Sequence, residues 1–327
     1  MATNSLIVAR GLTKTFTASR PGKGEKSLFG RKKEAFAVPA LQDVSFSIEK
    51  GERVALIGPN GAGKSSLVKL LTGILEPSTG TATVMGMVPW IDRRTLALRL
   101  GCVFGNMSQL LPYLTIQENF KIIGGMYDVK VRQLSTRVSE LSEQFGIEKL
   151  LNKRPPSLSF GERMKCEIVS ALLHSPDILF LDEPSVGLDI TARIELRQTL
   201  RQRCAQAGTT VLLTSHDTGD IEGVCERALV INHGTMVFDG SLGELRSRYI
   251  TQREISIVCS GDSFSVQDDR IKISKITPLR YSAIFDPREI SPHEAMSTVL
   301  ASGTVLDLTI GEPPLEQVIA EAFAAQR

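Results

Sequence analysis

The hydrophobic residues of this 327-residue chain follow two different patterns, one before about residue 242 and another after it. In the first part, uninterrupted apolar runs end at glycine or polar residues, as at residues 54–57, 178–181 and 211–213. Such runs are typical of parallel strands that are buried on both faces. Between them, apolar residues recur at helical spacing. We therefore expect an α/β domain with a parallel-sheet core over residues 1–242.

In the second part, apolar and polar residues alternate in short runs at residues 255–258, 271–273 and 281–285. This alternation predicts half-buried strands. A helix start follows at Ser291, where a capping serine precedes a first-turn proline and an acid. The last helix has one apolar face, formed by Leu315, Val318, Ile319 and Phe323. Residues 243–327 are therefore predicted to form a small α+β domain.

The composition narrows the class of protein. The hydrophobic and charged fractions of 42% and 23% are ordinary for a globular protein, and the net charge of +2 argues against a protein that coats nucleic acid. The five cysteines are scattered without a C-x-x-C pair, which predicts reduced thiols and no metal or disulfide framework. No apolar stretch reaches the length of a spanning helix, and the N-terminus does not read as a signal peptide.

A glycine-rich loop follows the first apolar run. Residues 58–65 read GPNGAGKS, which fits the phosphate-binding pattern G-x-x-x-x-G-K-[ST] between a predicted strand and a predicted helix. The backbone N–H groups of such a loop and the helix N-terminus point at phosphates. Lys64 is expected to reach the β- and γ-phosphates, and Ser65 to offer its hydroxyl to Mg²⁺. The predicted ATP-binding residues of this segment are Gly58, Pro59, Asn60, Gly61, Ala62, Gly63, Lys64, Ser65 and Ser66.

Acidic and histidine side chains follow two of the other apolar runs. Asp182 and Glu183 end one run, and His216 follows the next. Because ligands bind outside the carboxyl ends of parallel strands, we expect these side chains to meet the phosphates. Asp182 is predicted to help hold Mg²⁺, Glu183 to act as general base for the attacking water, and His216 to contact the γ-phosphate.

A second helix start lies at Ser159, in the stretch LSFGER at residues 158–163. A helix N-terminus of this kind can receive a phosphate, although a serine before an amphipathic helix is also ordinary capping chemistry.

The motifs GPNGAGKS, LSFGER, ILFLDEP, SVGLD and SHD, in this order, resemble the ATP-binding subunit of an ABC transporter from about residue 6 to residue 240. The resemblance implies an antiparallel β subdomain and a helical subdomain at about residues 91–160 beside the parallel-sheet core. It implies that Phe16 stacks on adenine and that the loop with Ser185, Gly187 and Asp189 lines a dimer contact. It makes Ser159, Gly161 and Glu162 a signature that closes over the ATP of the opposite subunit.

The resemblance also implies partners. Two copies would form a head-to-tail homodimer that sandwiches two ATP molecules, with Mg²⁺ as the metal. The dimer would be attached to separate membrane-spanning permease subunits at the cytoplasmic face of the inner membrane. No nucleic-acid partner is expected.

Two departures from the family pattern place the chain nearer one branch. Phe160 stands where the signature usually has a first glycine, and the glutamine expected after Cys102-Val103-Phe104 is displaced. Gln109 is the expected substitute as a Mg²⁺ ligand, with Asn106 as the alternative. These features resemble the ATPases of drug and antibiotic exporters that have separate membrane subunits, which predicts an ATP hydrolase that powers export.

Other functions stay open at this stage. An exporter of surface polysaccharide would have the same motifs. A non-transport switch ATPase that acts on ribosomes or DNA is less favoured, because one cassette and no sustained heptads are present. A kinase or GTPase would lack the signature, and a GTPase would carry a guanine-reading N-K-x-D motif, which is absent.

A basic insertion at about residues 19–37 carries six basic residues against one acid within residues 19–33. It is predicted to be a solvated loop, with contact to anionic lipid headgroups or a membrane partner as the alternative.

Overall fold

The computed structural model describes residues 5–21, 33–104, 108–249, 252–260, 264–311 and 313–325. The chain divides into two compact units, Met1–Leu242 and Gly243–Arg327, which are described separately. The elements of the first unit, in chain order, are β1 (Ser5–Pro21), β2 (Lys33–Glu49), β3 (Arg53–Ile57), α1 (Lys64–Leu71), β4 (Thr79–Val84), α2 (Arg93–Ala97), β5 (Leu100–Phe104), α3 (Ile116–Met126), α4 (Val131–Phe145), α5 (Phe160–Leu172), β6 (Ile178–Asp182), α6 (Ile190–Ala207), β7 (Thr210–Thr214), α7 (Thr218–Val224), β8 (Arg227–Asn232) and β9 (Thr235–Ser241).

A six-stranded sheet in the order β5-β6-β7-β3-β8-β9 forms the centre of the first unit. Its strands are parallel except β9, which runs antiparallel to β8. All five residues of β7 are buried, and β3 and β6 have four buried residues each. The uninterrupted apolar runs of the sequence therefore lie in the interior strands, and the predicted α/β class is confirmed.

A separate antiparallel sheet in the order β2-β1-β4 packs against this core. Strand β4 pairs with β1 only as far as Thr13, whereas β2 pairs with β1 to its last residue, Pro21. From Lys14 onward, β1 and β2 therefore form a two-stranded arm within the described residues. The predicted basic insertion lies partly in this arm and partly outside the described residues.

Three packed helices, α3, α4 and α5, form a helical region beside the sheets. Helix α3 begins with a capping box, in which Thr115 accepts from the backbone N–H of Glu118 and Glu118 accepts from that of Thr115. Helix α4 ends at Gly146, whose φ of 64° suits a glycine at a helix C-terminus.

The described strands of the second unit are β10 (Arg253–Cys259), β11 (Ile271–Thr277), β12 (Arg280–Phe285) and β13 (Val305–Gly311), and they form an antiparallel sheet in the order β11-β12-β10-β13. One face is covered by a helix and carries a core that includes Ile255, Ile257, Tyr281, Phe285 and Val299. The alternating sequence runs thus correspond to strands with one buried face. The described helices of this unit are α8 (Leu242–Tyr249), which starts at the boundary residue, α9 (Pro292–Ala301) and α10 (Leu315–Ala324).

Of the face predicted for the last helix, Leu315, Val318 and Ile319 are buried and Phe323 is half-buried. Among the described residues, none of the helices combines the length and the apolarity needed to cross a bilayer.

Candidate functional site

The phosphate loop joins β3 to α1 and approaches two neighbouring backbone segments closely. A Cβ on Gly63 would lie 2.4 Å from the carbonyl oxygen of Ala40, and a Cβ on Gly58 would lie 2.4 Å from that of Ile231. Gly63 also has a φ of 105°, which side chains rarely adopt. Both glycines are therefore required by the packing of the loop.

Lys64 is the first residue of α1, and only 9% of its surface is exposed. Its Nζ donates to the carbonyl oxygens of Gly58, at 2.6 Å, and Pro59, at 3.3 Å. Burial lowers the pKa of the Lys64 ammonium, while the nearby carboxylates of Glu183 and Asp182 oppose that shift. The ammonium is thus held inside the loop, facing two acids.

A cavity of about 340 Å³ opens in front of this loop. It brings together the predicted phosphate-binding, acidic and histidine side chains, which come from three segments spread over more than 150 residues of the chain. Its lining consists of Ala40, Pro59, Asn60, Gly61, Ala62, Gly63, Lys64, Ser65, Ser66, Asp182, Glu183 and His216. Gly58 lies beside the cavity and contacts Lys64.

The acidic end of β6 is held by β7. The Thr214 hydroxyl donates to Asp182 Oδ1 at 2.5 Å, and the backbone N–H of Glu183 donates to the Thr214 carbonyl at 3.0 Å. Glu183 has a φ of 54°, a left-handed backbone that is uncommon for a residue other than glycine. A strained conformation persists only where the surrounding structure maintains it, and such conformations are found most often at functional sites.

His216 lies next to Glu183 in the cavity lining. Its Nε2 lies 3.5 Å from Glu183 Oε1, and its backbone N–H donates to Glu183 Oε2 at 3.3 Å. About half of the His216 side chain is exposed, whereas the Glu183 side chain is mostly buried. A reactant in the cavity can therefore meet the imidazole and the carboxylate together.

The Ser159 helix start lies outside this cavity's lining. Ser159 caps α5, accepting from the backbone N–H of Glu162 at 3.2 Å, while Glu162 accepts from that of Ser159 at 2.8 Å. The backbone hydrogen bond from Ser159 lowers the pKa of Glu162. Phe160 contacts Gly187: a Cβ on that glycine would lie 3.3 Å from the Phe160 ring.

The loop that carries Ser185, Gly187 and Asp189 joins β6 to α6. Gly187 has a φ of 78°, and Asp189 caps α6 by accepting from the backbone N–H of Ala192 at 2.8 Å. A Cβ on Gly161 would lie 3.3 Å from the side chain of Leu188 in this loop. The signature start and this loop are therefore neighbours in the fold.

Comparison with known proteins identifies the family. Residues 41–186 match the family described as ABC transporter. The ABC transporter ATP-binding protein NatA of Bacillus subtilis is 35% identical over 208 residues, which cover 64% of this chain and 84% of NatA. The linearmycin resistance ATP-binding protein LnrL of the same species is 30% identical over 286 residues, covering 85% of this chain and 91% of LnrL. This chain belongs to the ABC transporter ATP-binding proteins.

Solved structures agree with this assignment. A structure described as the ATP-binding subunit of an ABC transporter superimposes with a TM-score of 0.62 at 26% identity, covering 75% of this chain and 93% of that one. The dimeric cassette MJ0796, in a post-hydrolysis state with ADP and Pi, shares the fold with a TM-score of 0.60 at 24% identity, over 72% of this chain and 98% of the cassette. As an ABC ATPase, the chain is an ATP-binding ATP hydrolase.

Two predicted ligand residues of the ABC ATPase lie away from the cavity lining. Phe16 is partly exposed on β1, where Lys14 Nζ lies 5.4 Å from its ring centroid. The Gln109 amide donates to the Cys102 carbonyl at 2.5 Å, so its side chain is tied to β5. Asn106 lies outside the described residues. The roles expected for Phe16, Gln109 and Asn106 stay predictions.

Buried Glu167 on α5 holds the segment that carries Gln109. Its carboxylate accepts from the Ser108 hydroxyl and from the backbone N–H of Gln109, at 3.2 Å to each oxygen. Burial raises the pKa of Glu167.

Sequence reasoning missed Ala40 and Thr214. Ala40 lines the cavity from β2, and Thr214 holds Asp182. Thr214 ends an apolar run in the same way as Asp182, and the two residues are paired in the parallel sheet. This shared position at the end of a run could have predicted their contact. Nothing in the sequence pattern marks Ala40, because its place depends on how β2 packs against the loop.

Proposed function

We propose that this chain hydrolyses ATP at composite sites in a head-to-tail homodimer, and that hydrolysis powers export through separate membrane-spanning subunits. One observation supports the proposal above the others. The phosphate loop, Asp182, Glu183 and His216 line one cavity, whereas the capped start of α5 at Ser159 lies outside its lining. One chain thus assembles the phosphate loop, the acids and the histidine of the expected ATP site. We propose that the signature of a second copy completes this site.

The cavity suits a nucleoside triphosphate. Lys64 supplies a positive charge that is already desolvated, and the uncapped N-terminus of α1 supplies backbone N–H groups. Ser65 and Asp182 line the same cavity with the hydroxyl and carboxylate oxygens that Mg²⁺ prefers. When bound, Mg²⁺ would neutralise phosphate charge, and these two residues are proposed to hold it. In the described ranges, no group of three or more His, Cys, Asp or Glu side chains is placed to hold a metal ion by itself.

Glu183 is proposed as the general base. Its carboxylate lies at the end of β6, partly buried and within 3.5 Å of the His216 imidazole. Proton abstraction from water requires a base held within hydrogen-bond reach, and the hydrogen bond from the His216 backbone N–H to Glu183 Oε2 holds the carboxylate in place. His216 is proposed to contact the γ-phosphate and to help orient Glu183.

The second copy is proposed to supply Ser159, Gly161 and Glu162 over the nucleotide. The residues proposed for the dimer contact are Ser185, Gly187 and Asp189. Contact between the signature start and this loop within one chain supports a common interface surface. The cassette MJ0796, which has a similar fold, is dimeric, and this supports a dimer of the present chain.

Export across a membrane is supported by the name of one relative. The name of LnrL connects that relative with linearmycin resistance, which is consistent with outward transport of an antibiotic. Since no described helix can span a bilayer, membrane-spanning partners would provide the path. The ATPase would then be a peripheral protein at the cytoplasmic face of the membrane.

Purification from native membranes tests the transport proposal. The tagged full-length chain is extracted in mild detergent, and its partners are identified by mass spectrometry. A stoichiometric multispanning protein is the expected result, with a tag-only sample as the control. Ribosomal or DNA-bound partners without a membrane protein would contradict transport while leaving the ATPase assignment intact.

Replacement of the proposed base tests the catalytic site. Glu183→Gln keeps the size of the side chain but cannot accept a proton, so ATP hydrolysis should slow by about 10²–10⁴-fold. ATP binding should persist, and the variant should dimerise in the presence of ATP and Mg²⁺. The measurements are phosphate release, nucleotide titration and light scattering.

The matched control is Glu143→Gln, at an exposed glutamate on α4. It should hydrolyse ATP at the wild-type rate. Normal turnover by Glu183→Gln would exclude Glu183 as the base, and a monomer under all nucleotide conditions would exclude the sandwich.

A further inference from the structure

Four charged side chains form a compact network between α6 and α7, which we call the α6–α7 network: Arg193, Arg197, Asp217 and Asp220. Arg197 Nε donates to Asp220 Oδ1 at 2.6 Å, and a second guanidinium nitrogen of Arg197 lies 2.9 Å from Asp217 Oδ1. Arg193 donates to Asp217 Oδ2 at 2.6 Å. The two arginines and two aspartates thus alternate in the order Arg193, Asp217, Arg197, Asp220, each paired with the next.

The network is unusually well buried at its centre. The Asp220 side chain is 3% exposed and that of Arg197 is 19% exposed. Buried ion pairs are maintained only where further hydrogen bonds satisfy the charged groups, and their loss leaves an uncompensated charge. Asp220 meets this condition with additional partners from two other segments.

The first additional partner is in the loop after Glu183. The Ser185 hydroxyl donates to Asp220 Oδ2 in a short hydrogen bond. At the other end of the same loop, the Leu188 carbonyl accepts from Arg193 Nε at 3.0 Å. The loop that begins two residues after the proposed base is therefore attached to the network at both ends.

The second additional partner is in the turn that carries His216. The Ser215 hydroxyl donates to Asp220 Oδ2 at 2.8 Å and accepts from the backbone N–H of Asp217 at 3.0 Å. The residues on both sides of His216 thus belong to the network or bond directly to it. One oxygen atom, Asp220 Oδ2, accepts from the serine near Glu183 and from the serine next to His216.

Two glycines of α7 make room for the central arginine. A Cβ on Gly223 would lie 3.1–3.3 Å from the aliphatic carbons of Arg197, and one on Gly219 would lie 2.5 Å from its guanidinium. The arginine therefore passes over α7 where side chains are absent. This packing fixes the guanidinium against both aspartates.

We propose that Asp220 and Arg197 are positioning residues for ATP hydrolysis, which hold Glu183 and His216 at their 3.5 Å separation through Ser185 and Ser215. Neither residue lines the phosphate cavity. The inference rests on the catalytic roles proposed for Glu183 and His216. The alternative is that the network only joins α6 to α7 and adds stability.

The first test compares three variants of the full-length protein. Asp220→Asn and Arg197→Gln should each lower kcat by about 10–10²-fold, because misplacement of reacting groups by about 1 Å has effects of this size. The KM for ATP should change by less than about twofold, since the phosphate loop is untouched. The matched control is Arg201→Gln, at an exposed arginine on the same helix, which should behave as wild type.

The second test uses single hydroxyl deletions, which disturb folding least. Ser185→Ala and Ser215→Ala should each lower kcat, and the double variant should lose less than the product of the two effects, because both act through Asp220 Oδ2. The melting temperature of each variant is measured in parallel. A lowered kcat at an unchanged melting temperature indicates a positioning role and not a loss of stability.

Several outcomes would overturn the inference. One is normal kcat in Asp220→Asn and Ser185→Ala while Glu183→Gln is slow, which refutes the network role and leaves the proposed base in place. Another is a fall in kcat that is fully explained by a lowered melting temperature and a smaller folded fraction at the assay temperature, which indicates a purely structural role. Normal turnover by Glu183→Gln would remove the catalytic roles on which the inference depends.

Discussion

At the scale of single residues, the site depends on a few positions where the neighbouring backbone leaves no room for a side chain or where the chain takes an uncommon conformation. Gly63 and Gly58 lie against the carbonyl oxygens of Ala40 and Ile231, so the phosphate loop is fitted to two neighbouring strands. Glu183 adopts a left-handed backbone although it carries a side chain. The loop glycines are consistent with their motif, whereas the Glu183 conformation has no sequence signal.

Substitution at Gly63 tests the importance of this contact. Gly63→Ala should weaken ATP binding by about 10–10²-fold, because displacement of the loop removes charge-assisted hydrogen bonds to phosphate. It should also lower the melting temperature without nucleotide, since the added Cβ meets backbone at 2.4 Å. Fluorescent-nucleotide titration and calorimetry measure the two effects.

Gly86→Ala is the matched control. Gly86 has a similar left-handed φ of 76°, but a Cβ there would meet nothing within 4 Å. Both variants carry the backbone cost of roughly 1–2 kcal/mol, and only Gly63→Ala adds the clash. Equal melting temperatures and unimpaired nucleotide binding in the two variants would contradict the role given to the Ala40 contact.

At the scale of elements, α5 combines two functions at its first turn. Ser159 caps the helix through a reciprocal pair of hydrogen bonds with Glu162, and it is also the residue proposed to face the nucleotide of the partner. The serine followed three residues later by glutamate signals a helix start from sequence alone. Capping chemistry and phosphate binding both use this helix terminus, so the sequence cannot separate them.

Two substitutions separate the functions of Ser159. Ser159→Ala removes the cap and should cost about 1 kcal/mol of unfolding free energy, whereas Ser159→Asp keeps a good cap and should retain stability. Both should abolish most ATPase activity if the position faces a triphosphate, because aspartate brings a like charge. Thermal unfolding and phosphate release are the two measurements.

Ser291→Ala at the start of α9 provides the control for capping alone, because Ser291 accepts from the backbone N–H of Glu294 in the same way. It should lose stability and keep activity. If Ser159→Asp hydrolysed ATP like the wild type, the proposed phosphate contact at the start of α5 would be wrong.

The sequence pattern anticipated elements better than their contacts. The buried strands β3, β6 and β7 follow from continuous apolar runs, and parallel strands bring their carboxyl ends to one edge, which is why Asp182, Glu183 and His216 meet. The contribution of Ala40 and the meeting of Arg197 with Asp220 depend on packing between distant elements. Periodicity along a chain carries no information about such side-chain contacts.

At the scale of the whole molecule, the two units have separate hydrophobic cores. The first unit's core includes residues of its two sheets and of α1, which follows the phosphate loop, and the second unit's core includes residues of its sheet and of α9. The proposed nucleotide residues are all in the first unit. The second unit contributes no residue to the described cavity.

Calorimetry should therefore resolve two unfolding transitions. Saturation with ATP and Mg²⁺ at about 100 times Kd should stabilise the first unit by about 2.7 kcal/mol and raise its transition by roughly 5 °C or more. The transition of the second unit should not move. Lys64→Ala, which removes the buried ammonium, serves as the control and should abolish the shift.

If the whole chain unfolded in a single transition, and nucleotide raised the temperature of that transition, the two units would not be thermodynamically independent. Two transitions that both move would indicate that nucleotide binding is linked to the folding of the C-terminal unit.

The two-stranded arm of β1 and β2 has a practical consequence. Beyond Thr13 its described pairing is confined to its own two strands, so the register of β4 does not depend on how far the arm extends. A peptide epitope or a fluorophore grafted between these strands should leave the central sheet undisturbed. A probe at this position could report in real time whether two copies associate on ATP binding, as proposed, and dissociate after hydrolysis.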